Sequence, residues 1–146
     1  MINEVTAPTV VANELRPVLL RLARELRHET EGMGVTSRQV TLLWLIRQRP
    51  GLSLRELAAE ERISAPALSG HVNRLVKVGL VERVRDDDDR RRVGLALTEE
   101  GARLLKHVRA RRTTWLAERL AGLAPADVAA VERAIEPLGR LLEGRP

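Results

Sequence analysis

The chain has 146 residues, about one domain's worth, with 44% hydrophobic and 31% charged residues. Lys plus Arg is 25 against 20 for Asp plus Glu, a formal net charge of +5, which permits a nucleic-acid partner without demanding one. There is no cysteine, which excludes disulfides, thiolate metal sites, cysteine nucleophiles and thiol redox sensing.

Residues 1–8 read as a loose tail. From Val10 to about Glu31 the period is helical, with Leu15, Leu19, Leu22, Ala23 and Leu26 on one face. Pro17 falls inside this stretch, so the helix either starts near Arg16 or kinks there. Gly32 and Gly34 then break the chain. Thr36-Ser-Arg-Gln39 has the form of a capping box, a hydroxyl at N-cap and Gln at N3, and opens an apolar helix that ends before Pro50-Gly51. Ser53-Leu-Arg-Glu56 is a second such box, opening a short helix with Leu54, Leu57 and Ala58. Ser64 caps a third helix, with Pro66 in its first turn, Leu68, Val72, Leu75 and Val76 on its apolar face, and Gly79 as its stop.

The period then changes. Residues 80–84 and 93–97 read as two strands, joined by the charged residues 85–92. Thr98-Glu99-Glu100 starts a long helix, with acidic residues where the dipole favours them. A turn at Gly122 and Pro125 leads to a last helix, about Ala126 to Leu142, with Pro137 inside it. Three short helices followed by a β-hairpin make a winged helix-turn-helix, so the expected fold is mainly α with a small hairpin wing.

The third short helix is the reading helix of that motif. Its face opposite Leu68 and Val72 carries Pro66, Gly70, Asn73, Arg74 and Lys77, with Ser64 and Ser69 toward the edges. Small residues at its start allow close entry to a major groove; Ser and Asn bond base edges or phosphates, and Arg reads guanine. Only Lys77 and Lys106 are lysines; every other basic side chain is arginine, the residue suited to bidentate contact with phosphate and guanine.

At SLRELAAEERISAPALSGHVNRLVKVGLVERV and DRRRVGLALTEEG the sequence resembles the MarR-type winged helix-turn-helix transcriptional regulators. The second segment is similar to that family's wing pattern, represented here by Asp89, Arg91, Thr98 and Gly101. The resemblance implies a homodimer on a palindromic double-stranded DNA operator. Residues 1–35 and 99–146 would form a helical dimerisation region around a DNA-binding domain at 36–98. It implies that Arg91 enters a minor groove and that Ser64, Ser69 and Arg74 contact DNA. Gly70 stands where many members have a basic residue, so the expectation is either that His71 or Asn73 supplies the missing contact or that the preferred operator differs. Arg62 and Arg90 complete the DNA-binding set with Pro66. Asp89, two residues before Arg91, is expected to brace that side chain, while Asp86 and Asp87 are expected to be solvated. The resemblance also implies a small-molecule effector that relieves repression, with Trp44 and Trp115 as candidate pocket residues, although simple core packing is the reading favoured for both.

His28, His71 and His107 have no metal-ligand spacing, and no nucleophile elbow, Walker A sequence or dinucleotide fingerprint occurs. Neither an enzyme nor a cofactor is expected. The start shows no charged segment followed by an apolar run, and no stretch approaches the ~18 apolar residues of a membrane span. A cytoplasmic protein is therefore expected. Two competing readings are a winged-helix module that binds protein, and a nonspecific DNA coater of the nucleoid type.

Overall fold

The computed structural model describes residues 6–89 and 91–144. Its elements in order are α1 (Pro8–His28), α2 (Ser37–Gln48), β1 (Leu52–Ser53), α3 (Leu54–Glu61), α4 (Ala65–Lys77), β2 (Val81–Arg85), β3 (Val93–Leu97), α5 (Glu99–Ala121) and α6 (Pro125–Arg140). All six expected helices are present.

The first helix begins earlier than its apolar period suggests. Pro8 sits at its first position, where the missing N–H costs nothing, and the helix runs on through Pro17 to His28. The expected tail is thus helical from its last residue, and Pro17 has no N–H to bond the Asn13 carbonyl.

The first capping box forms in both halves. Thr36 Oγ1 accepts from the Gln39 N–H at 3.2 Å, and Gln39 Oε1 accepts from the Thr36 N–H at 2.9 Å. The second forms only one half. Ser53 Oγ accepts from the Glu56 N–H, but Glu56 Oε1 accepts from the Ser53 hydroxyl at 3.0 Å and from Arg92 Nη2 at 2.5 Å. A charged donor reaching in from the hairpin has taken the carboxylate that the sequence pattern assigns to the backbone.

The expected two-stranded hairpin is a three-stranded antiparallel sheet in the order β1-β3-β2. Val81 pairs with Leu97 and Arg85 with Val93, while Leu52 pairs with Leu95 and Ser53 with Gly94. Gly94 makes the third strand possible, because a Cβ there would lie 2.6 Å from the Gly51 carbonyl oxygen.

One apolar core holds these elements together. Leu42, Leu43 and Ile46 of α2, Leu57 of α3, Leu68, Val72 and Leu75 of α4, Val81 and Leu95 of the sheet, and Leu105 and Val108 of α5 are all buried. At about 25 cal/mol per Å² of apolar surface, each fully buried Leu or Val contributes roughly 1.5–3 kcal/mol. The helices α1 and α6 take no part in it; neither has a buried residue. Two hydrogen bonds tie α1 to α5: Arg112 donates to the Leu26 carbonyl at 3.2 Å and to Thr30 Oγ1 at 3.0 Å. Burial, and secondarily the nearby charge of Arg27, lower the pKa of the Arg112 guanidinium. Among the described residues no helix is long and apolar enough to cross a membrane.

Candidate nucleic-acid interface

The turn from α3 into α4 is three residues long. Arg62 caps α3 in the left-handed region at φ 54° and ψ 40°, its N–H bonding back to Ala58 and Ala59. That conformation disfavours any residue with a Cβ by about 1–2 kcal/mol. Half-buried Ile63, packed on the core, and the cap at Ser64 hold the chain there, leaving Arg62 exposed. Ser64 Oγ accepts from the Ala67 N–H at 3.3 Å, so its hydroxyl proton remains the group it can offer outward.

The exposed and buried sides of α4 divide as the sequence implies. Leu68, Val72 and Leu75 are fully buried, and Pro66, Gly70, Asn73, Arg74 and Lys77 are exposed. Ser69 and His71 lie at the margins, half-buried. His71 Nδ1 is enclosed and has no hydrogen-bond partner among the described residues, which leaves Nε2 for an outside contact. Asn73 Oδ1 accepts from Arg83 Nη2 of β2 at 2.5 Å.

The wing tip explains its own run of aspartates. Asp86 is half-buried, and its carboxylate accepts from the Asp88 N–H at 3.0 Å. Asp89 repeats the pattern, accepting from the Arg91 N–H at 3.0 Å. Two further backbone bonds close the loop, Asp86 N–H to the Arg92 carbonyl and Arg92 N–H to the Asp89 carbonyl. Asp86 is therefore a turn residue and not merely a solvated one. The brace from Asp89 runs to the backbone of Arg91 and fixes the loop from which its exposed side chain projects. Arg90 lies outside the described residues.

The region from α2 through the wing also matches a known family. The model described as MarR family fits residues 35–93. A helix-turn-helix-type transcriptional regulator of Mycobacterium leprae is 31% identical over 110 residues, covering 75% of this chain and 77% of its own. One from Mycobacterium tuberculosis is 29% identical over 136 residues, 93% of this chain and 95% of its own. The chain belongs to the MarR family. It is a DNA-binding transcriptional regulator and not an enzyme. A solved MarR family protein from Bacillus stearothermophilus superimposes with a TM-score of 0.80 at 25% identity, covering 97% of this chain and 99% of that one.

Two recesses among the described residues of this MarR-family chain lie against α5, and sequence reading did not locate them. The larger, about 880 Å³, is an open groove along α5 lined by Arg47, Arg103, Lys106 and Arg109 among others. The smaller, about 280 Å³, lies between α1, α2 and α5 and is lined by Arg27, Ser37, Thr41 and Arg112. Neither tryptophan lines either one: Trp44 is 44% exposed, and Trp115 is half-buried with Arg119 over its ring at 5.3 Å. Sequence reading also missed the bonds from Arg83 to Asn73 and from Arg92 to Glu56. The partners lie 10 and 36 residues apart, so no local spacing marks them.

Proposed function

We propose that the chain acts as a homodimer on a palindromic operator, repressing transcription until a small molecule releases it. The observation that carries this reading is the exposure of α1 and α6. Val10, Val11, Val18 and Leu20 of α1, and Val131 and Ile135 of α6, are 43–65% exposed, and neither helix buries a single residue within one chain. Helices this apolar gain their stability from packing, and a second copy supplies the matching surface. Residues 1–35 and 99–146 then serve dimerisation, and 36–98 serve DNA reading.

In this reading α4 enters the major groove, presenting Ser64, Pro66, Ser69, Asn73 and Arg74 to bases and phosphates, with His71 at its margin. Arg62 meets a phosphate beside the helix. Arg91 extends from the wing into a narrow A·T-rich minor groove whose negative potential attracts it, and Arg90 belongs to the same set of DNA contacts. Two reading helices must stand about one DNA turn apart, ~34 Å, to engage both half-sites. A ligand that favours another separation lowers operator affinity by shifting the population. The recess beside Arg27 and Arg112 lies where α1 meets the reading domain, so an occupant there would bear on that separation.

Selection of bound sites from a random double-stranded DNA pool tests the proposal. Enrichment of a palindrome with half-sites about ten base pairs apart is expected. Salt-sensitive binding without enrichment would instead indicate a nonspecific coater, and no binding would indicate a protein-interaction module.

A further inference from the structure

Strand alternation determines what β2 offers to α4. Val81 is buried, and side chains two apart on a strand share a face. Arg83 therefore leaves β2 on the side of Val81, toward α4, and reaches Asn73 Oδ1 at 2.5 Å. Arginine carries only donors, so the Asn73 amide must turn its oxygen to Arg83. That bond takes one of the two Oδ1 lone pairs and sets a guanidinium beside the other, which leaves Nδ2 with its two hydrogens to donate. Both residues are exposed, and Asn73 stands one turn beyond Ser69 and Gly70 on the outer side of α4.

We propose that Arg83 is a positioning residue that biases Asn73 toward donating, so that the chain selects guanine over adenine at the base facing Asn73. The inference rests on α4 reading the major groove. An unconstrained asparagine pairs best with adenine, accepting from N6–H through Oδ1 while donating to N7 through Nδ2. With one Oδ1 lone pair bonded to Arg83, the adenine amino group must share that oxygen with the guanidinium and meets its positive charge. Guanine presents N7 and O6, both acceptors, to the two hydrogens of Nδ2. Cytosine presents only its N4 donor, and thymine a single acceptor beside a methyl group.

The test is site selection from a random double-stranded pool, at fixed salt, with the full-length wild type, Asn73→Ala and Arg83→Met. Thermal unfolding of each variant checks folding. Asn73→Ala should erase the preference at one base pair per half-site, which locates the contact. There the wild type should prefer guanine to adenine by roughly 5- to 150-fold. Arg83→Met should bring adenine at least to parity while the rest of the half-site is unchanged. A wild-type preference for adenine at that position would overturn the proposal even if Arg83→Met failed to fold. So would an unaltered guanine preference in folded Arg83→Met, or an enriched palindrome with no position sensitive to Asn73→Ala. If the wild type enriches no sequence, the assignment of α4 as the reading helix fails and this inference falls with it.

Discussion

Alanine at Gly101 should destabilise the protein, against the usual trend for glycine in a helix. Replacing a helical glycine by alanine commonly gains about 0.5–1 kcal/mol. At Gly101, however, the new Cβ would lie 2.0 Å from the Leu80 carbonyl oxygen, a backbone atom that cannot rotate away. Restoring an ordinary 3.4 Å contact means separating α5 from the start of β2 by about 1.4 Å. Two hydrogen bonds cross that junction, Thr98 Oγ1 to the Gly79 carbonyl at 2.5 Å and Thr98 N–H to the Leu80 carbonyl at 3.1 Å. Overpacking costs about 1–3 kcal/mol, and each stretched bond adds up to about 1 kcal/mol. After the propensity gain the net loss is about 3 kcal/mol, roughly a 10 °C fall in Tm for a chain of this size. Gly70→Ala is the matched control. Nothing lies within 4 Å of its Cβ position, so it should gain about 0.5–1 kcal/mol in the absence of DNA. Chemical denaturation of both variants at one protomer concentration is the assay. A Gly101→Ala protein within 0.5 kcal/mol of wild type would refute the steric argument.

Arg91→Ala should leave the unfolding transition in place while weakening operator binding by about 1–3 kcal/mol; unchanged affinity would remove Arg91 from the DNA contacts. Thr36→Ala should cost about 1 kcal/mol in denaturant unfolding, because both halves of that cap are made; no change would mean water replaces them equally well. Ile135→Asp places a charge on a 65% exposed position of α6 and should shift sedimentation from dimer to monomer. A dimer of undiminished affinity would place the interface elsewhere.

Local chemistry was the legible part of the sequence. The caps at Thr36, Ser64 and Thr98 each depend on residues within three or four positions, and each forms. The strand β1 was not legible: two residues between Pro50-Gly51 and the cap of α3 are too few to show a period, and only the partner Leu95 makes them a strand. Glu56 was misread because its competing donor, Arg92, lies 36 residues further on. The start of α1 was placed late because Thr9 and Pro8 are not apolar, although proline is well suited to a first helical position. The apolar faces of α1 and α6 could be read as helices, but what covers them is not written in either segment. Likewise the exposed face of α4 was visible in its period, whereas the Arg83 bond to Asn73 depends on the hairpin folding back.

The wing's hydrogen bonds divide its aspartates into two classes with different evolutionary freedom. Asp86 and Asp89 are committed to the turn, and Arg92 anchors the loop to α3 through Glu56. Among the described residues, the side chains of exposed Asp87 and Asp88 hold nothing. Those two positions form a small cassette at the tip, where charge and size can change without disturbing the scaffold. A lineage, or a protein engineer, can therefore change the charge and bulk of the tip by changing two codons, leaving the core and α4 as they are.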